Sequence, residues 1–92
     1  MIKVNEYEGG RVKSLGFESD GLPYTAGVVE PGQYTFGTEK EEHLTVTAGR
    51  IEFRLPGQDW VSLKVGDRII IPRGIKFDLK AAGASSYICA YK

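Results

Sequence analysis

The chain has 92 residues, 41% of them apolar and 26% charged, with twelve Lys and Arg balancing twelve Asp and Glu. That length suits one domain, 1–92, and is too short for two. The charge balance argues against a nucleic-acid partner, which calls for a basic excess, and no apolar run approaches the roughly 20 residues of a membrane helix.

The opening stretch Met1–Glu8 has no apolar core of a signal peptide. The single cysteine, Cys89, precludes an internal disulfide. Both features point to the reducing cytoplasm. Cys89 lies in the apolar run Tyr87-Ile-Cys-Ala-Tyr91 with no basic neighbour, so it reads as a buried core thiol rather than a nucleophile.

No apolar stripe of helical period runs along the chain; short alternating blocks separated by Gly, Pro and Asp predict an all-β fold of about eight or nine strands. The first strand centres on Val12–Leu15, after a Gly9-Gly10 turn, and Glu18–Pro23 reads as a loop. Tyr24–Glu30 is a strand rich in small residues, and Pro31-Gly32 fits the centre of a type II turn. Gln33–Gly37 follows, with Tyr34 and Phe36 on one face, and then an acidic patch of Glu39, Glu41 and Glu42. His43–Thr47 places Leu44 and Val46 together, and Ala48-Gly49 suggests a tight hairpin into Arg50–Leu55. That strand is the clearest in the chain: Ile51, Phe53 and Leu55 face one way, Arg50, Glu52 and Arg54 the other. Trp60–Leu63 returns after a Pro-Gly turn. Arg68–Ile71 reads as buried on both faces at its end, and Pro72-Arg-Gly74 breaks it. Ile75, Phe77 and Leu79 alternate with Lys76, Asp78 and Lys80, and Tyr87–Tyr91 closes a small β-barrel. So small a barrel leaves a thin margin of burial over chain entropy. A homodimer joined through strand edges or a sheet face would add core and cover edges.

Two blocks stand out. Gly66-x5-Pro72-x-Gly74-x2-Phe77 resembles the second cupin motif, whose last position is usually His, and Glu42-x6-Gly49 resembles the Glu and Gly of the first. Beside them stand Asn5-Glu-Tyr7, Val12-Lys-Ser-Leu-Gly-Phe17, Gly32-Gln-Tyr-Thr-Phe36, Asp59-Trp60 and Tyr87-Ile-Cys-Ala-Tyr91. Together these segments, which span essentially the whole chain, resemble the small pyrimidine/purine nucleoside phosphorylase family. The resemblance implies a single-domain, jelly-roll-like cupin acting as a homodimer. It also implies phosphorolysis of purine and pyrimidine nucleosides to free base and pentose 1-phosphate, with inorganic phosphate as co-substrate.

The motif positions bear on metal chemistry. Where cupins place imidazoles, this chain has Phe36, Thr38 and Phe77, so only Glu42 of the usual ligand set remains. One carboxylate is a weak site for a transition metal, and the lone His43 adjoins Glu42 and should face the other way along a strand. No metal and no organic cofactor is expected, which argues against the oxygenase and isomerase chemistries of many cupins. Phosphorolysis needs a phosphate site, hydroxyl-orienting groups and charge complementary to an oxocarbenium-like sugar. Glu42 is the candidate catalytic residue. Thr38, Phe36, Phe77, Tyr24, Tyr34 and Tyr7 are candidates to hold nucleoside, the rings by stacking, and Tyr91 is a further aromatic that could stack a base. Arg73, Arg68 and Lys13 are candidates for phosphate. The competing expectation is a non-catalytic cupin that binds a small sugar or nucleoside metabolite.

Overall fold

The computed structural model describes residues 1–92. Ten strands form: β1 (Lys3–Tyr7), β2 (Val12–Ser19), β3 (Leu22–Val29), β4 (Gly32–Gly37), β5 (Glu42–Ala48), β6 (Arg50–Arg54), β7 (Val61–Lys64), β8 (Arg68–Ile71), β9 (Lys76–Ala81) and β10 (Ser85–Tyr91). They pair into a six-stranded sheet, β1-β2-β3-β10-β5-β8, and a four-stranded sheet, β4-β9-β6-β7. Every pairing is antiparallel. The sheets face each other as the two layers of a cupin jelly roll, a sandwich rather than a fully closed barrel. Inward residues at alternate positions, among them Val29, Val46, Ile51, Phe53 and Ile71, fill the space between them.

Five local features depart from the expectations above. β1 is a strand the sequence pattern hides, because its inward residue is polar: Asn5 donates from Nδ2 to Ser14 Oγ at 3.2 Å. Glu18–Pro23 is not a loop; β2 and β3 run on to a two-residue hairpin at Asp20-Gly21, both with positive φ (51° and 78°), and Ser19 pairs with Leu22. Arg68–Ile71 is an edge strand that alternates, with Ile71 buried and Ile70 exposed.

The fourth departure sets the architecture. Ala48-Gly49 does not close a hairpin, because β5 and β6 belong to different sheets and the chain changes layer at Gly49. Gly49 has φ +74°, and a Cβ there would sit 2.3 Å from Ser85 Oγ and 2.9 Å from the Ala84 carbonyl. Ser85 Oγ donates to the Arg50 carbonyl and accepts from the Arg50 N–H, both at 3.1 Å, so one hydroxyl pins the crossing. Pro31-Gly32 is likewise a layer change, between β3 and β4; Gly32, at φ +152°, lies far from the value near +80° of a type II turn. Tyr34 Oη donates to the Glu30 carbonyl at 2.8 Å, and the Arg11 guanidinium donates to the Pro31 carbonyl.

The two outer faces differ. On the four-stranded sheet the outward residues are charged or polar: Arg54 forks onto Asp78 through Nε and Nη2 (3.1 and 2.8 Å), and Arg54 and Lys80 both lie over the Trp60 ring. On the six-stranded sheet Val4, Leu15, Phe17, Val28 and Ile70 are exposed apolar side chains. Register puts Val4 opposite Leu15 and Phe17 opposite Tyr24 on one face.

Candidate active site

Between the sheets at one end lies a cup of about 120 Å³, lined by β1, β2, β4, β5, β9 and β10. Its walls are mostly apolar and aromatic, and Glu42 supplies its single carboxyl. The cup shares Tyr7, Gly37, Glu42 and Tyr91 with an outer chamber of about 430 Å³, which adds Thr25, Glu39 and Lys40. The inner chamber alone falls short of the roughly 300–1,000 Å³ of a typical small-molecule site; with its mouth it falls within that range.

Glu42 begins β5, and its pairing with Tyr91 turns its side chain toward the cup. Burial pushes its carboxyl above the ordinary glutamate value; a hydrogen bond from Cys89, Sγ to Oε1 at 3.8 Å, works in the opposite direction. The Cys89 side chain is fully buried, and burial and the Glu42 charge hold its thiol protonated, with a pKa of about 12. Tyr87 and Tyr91 are also pushed well above the usual phenol range, first by burial and also by Glu42 and other neighbouring acidic groups. They therefore stay hydrogen-bond donors at any physiological pH. Tyr91 Oη shares a hydrogen bond of 2.9 Å with Thr25 Oγ1 at the mouth.

One glycine gives Tyr87 its place. Tyr87 stands directly across the ladder from Gly27, and a Cβ on Gly27 would lie 2.2 Å from Tyr87 Cζ. The bare backbone of β3 thus lets the phenol lie flat along the sheet beside Ser14, which also lines the cup. Tyr7 from the edge strand packs edge-on against Phe36 (centroids 5.6 Å apart, 79° between planes), and Phe36 in turn packs against Phe77 at 6.1 Å.

Of the sequence candidates, Glu42, Phe36, Phe77, Tyr7 and Tyr91 meet in the cup. The others lie elsewhere. Thr38 is buried but lines neither chamber; its Oγ1 donates to the Pro72 carbonyl at 2.7 Å and accepts from the Ile75 N–H at 3.1 Å. Tyr34 is taken up by the Glu30 corner. Tyr24 stacks on Phe17 outside the six-stranded sheet. Lys13 and Arg68 lie on that same outer face, Lys13 paired with Glu6 at 3.0 Å and Arg68 opposite Thr45. Arg73 is exposed on the β8–β9 turn and lines neither chamber. The sequence candidates included Tyr91 but omitted Tyr87, although Tyr87, Cys89 and Tyr91 alternate onto one face of β10. They also omitted Lys40. His43 points away from Glu42 toward Glu41 Oε2 at 2.7 Å, and no cluster of three or more His, Cys, Asp or Glu side chains is placed to hold a metal ion.

Two facing antiparallel sheets with a cup at one end define a cupin. Solved structures agree: the Fe(II) protein HppE has a TM-score of 0.83 at 13% identity over 99% of this chain and 56% of its own. A protein of unknown function from Vibrio parahaemolyticus is far nearer, with a TM-score of 0.96 and 38% identity over 100% of this chain and 99% of that one. Within the cupins, residues 2–91 match the pyrimidine/purine nucleoside phosphorylase family, and the chain belongs to that family. Relatives of that name in Magnetococcus marinus and Yersinia pestis are each 46% identical, covering 99% of this chain and 99% and 98% of their own.

Proposed function

We propose that the chain is a nucleoside phosphorylase of broad specificity, cleaving purine and pyrimidine nucleosides with inorganic phosphate and needing no resident metal. The observation that carries this reading is the single partly buried carboxyl of Glu42, set among tyrosine phenols in a cup that opens to solvent. In the reaction a phosphate oxygen bonds to the anomeric carbon, the bond from that carbon to the base nitrogen breaks, and its electron pair leaves with the base, which takes up a proton. Ionised Glu42 opposes the positive charge developing on the sugar. The Cys89 thiol occupies Oε1, and Oε2 makes no hydrogen bond within the protein, so it is free for a sugar hydroxyl. Tyr87 and Tyr91, held as phenols, are donors for the departing base. Apolar rings with few edge-reading groups suit a site that takes both purines and pyrimidines.

The test is release of free base from uridine and inosine, with and without phosphate and with and without chelator. Phosphate-dependent release indifferent to chelator is expected, and Glu42→Gln should lower it by about a hundredfold or more. Tight nucleoside binding with no release would favour a binding module instead. We also propose that two copies pair through the apolar outer face of the six-stranded sheet, in the cytoplasm. Val28→Glu, placed on that face, should convert a sedimenting dimer to monomer, and a wild-type monomer would refute the pairing.

A further inference from the structure

The inner cup holds a carboxyl and phenols but no cation, and the basic residues at Lys13, Arg68 and Arg73 line neither chamber. A phosphorolytic site still has to hold a dianion. Only one basic side chain lines the path to Glu42, and it is Lys40. We propose that Lys40, with the backbone N–H groups of Glu39 and Lys40, seats the phosphoryl group of inorganic phosphate, and of the pentose 1-phosphate product, at the mouth of the cup.

Three observations support this seat. First, Lys40 is unpaired: the ion pairs of the fold are Lys13–Glu6, His43–Glu41 and Arg54–Asp78. Second, the N–H groups of Glu39 and Lys40 donate to no acceptor in the protein, whereas Thr38 N–H is satisfied by the Ile75 carbonyl at 2.9 Å. Unpaired N–H groups beside a lysine are donors from which an anion can accept hydrogen bonds. Third, the loop is held at its root. Thr38 is bonded through Oγ1 to the β8–β9 turn, and the Gly74 N–H donates to the Thr38 carbonyl at 3.0 Å, so the donors stand ready without ordering on binding. Glu41, the nearest acid in sequence, turns to His43 and does not line the mouth. Glu39 does line it, and its charge opposes the ligand, which gives the seat an electrostatic signature of two signs.

This assignment rests on the phosphorylase reading, and its test separates the two. Inorganic phosphate is titrated without nucleoside, followed by calorimetry or phosphorus NMR. Lys40→Gln should raise the phosphate Kd by about tenfold or more. Lys40→Arg should stay within a few-fold of wild type, and Glu39→Gln should tighten binding. No phosphate binding by wild type, an unchanged Kd in Lys40→Gln, or a loss that follows Arg73→Gln instead would overturn the seat. Phosphate bound at Lys40 without base release from any nucleoside would instead sink the phosphorylase reading and leave the seat standing. Phosphate-dependent release with full phosphate affinity in Lys40→Gln would do the reverse.

Discussion

Substituting Gly27 by Ala tests whether the cup depends on the bare backbone of β3. The added Cβ would meet Tyr87 Cζ at 2.2 Å, Oη at 2.4 Å and Cε2 at 2.5 Å, where ordinary contact begins at 3.4 Å. The phenol ring therefore has to move by more than 1 Å. A rigid ring moves as a unit, and the open space beside it is the 120 Å³ cup. Overpacking of this kind costs about 1–3 kcal/mol. In a domain of this size that lowers the melting temperature by about 5–20 °C. Because the ring enters the cup, the nucleoside KM should rise more than the loss of stability alone explains. Thermal melts by circular dichroism and steady-state kinetics below the transition measure the two effects. The double variant Gly27→Ala/Tyr87→Ala should show non-additive stabilities, with a coupling of about 0.5–3 kcal/mol. A melting temperature within a degree or two of wild type with unchanged KM, or strict additivity, would refute the account of Tyr87.

Glu42 makes stability depend on pH. Its carboxyl is raised by burial in the folded chain, so the folded state holds a proton more tightly than the unfolded one. The stability this contributes is full below the ordinary glutamate value of 4.5 and is lost as pH rises through the folded value. Glu42→Gln, a permanent mimic of the neutral form, should melt above wild type at neutral pH, with the gap closing at acid pH, even as activity falls. A variant less stable at neutral pH would contradict this sign. Thr38→Val keeps the shape but strands the Ile75 N–H and the Pro72 carbonyl. It should cost about 2–4 kcal/mol by chemical denaturation. A smaller cost would mean that the β4–β5 and β8–β9 loops are held by something other than that hydroxyl.

How far the chain could be read depended on which face of a strand was apolar. β6 was plain, because Ile51 and Phe53 go in and Arg50 and Arg54 go out. β4 and β9 were equally plain. In β2 and β3 both faces carry apolar residues, since the outer sheet face is itself apolar, and alternation there says nothing about which side is the core. Lys13 was a candidate because it lies in the family-like segment Val12–Phe17, and Tyr24 because it is aromatic; alternation could not say that both face away from the cup. β1 was missed because Asn5 faces inward against Ser14. The link at Gly49 read as a hairpin because a short turn looks the same whether the next strand pairs in its own sheet or crosses to the other. Glu42, Phe36 and Phe77 were legible from motif spacing. Lys40 was not, because a lysine in an acidic loop looks like a solvated charge until the cup's mouth is seen beside it.

The placement of Trp60 has a practical consequence. It is the only tryptophan, and it lies on the outer face of the four-stranded sheet between Arg54 and Lys80, outside both chambers of the cup. Its emission will follow the loosening of that sheet during unfolding and stay silent when nucleoside enters. Tyrosine absorbance carries the opposite information, since Tyr7, Tyr87 and Tyr91 surround the cup. The protein thus holds two intrinsic chromophores that separate occupancy of the site from integrity of the fold, without any added label.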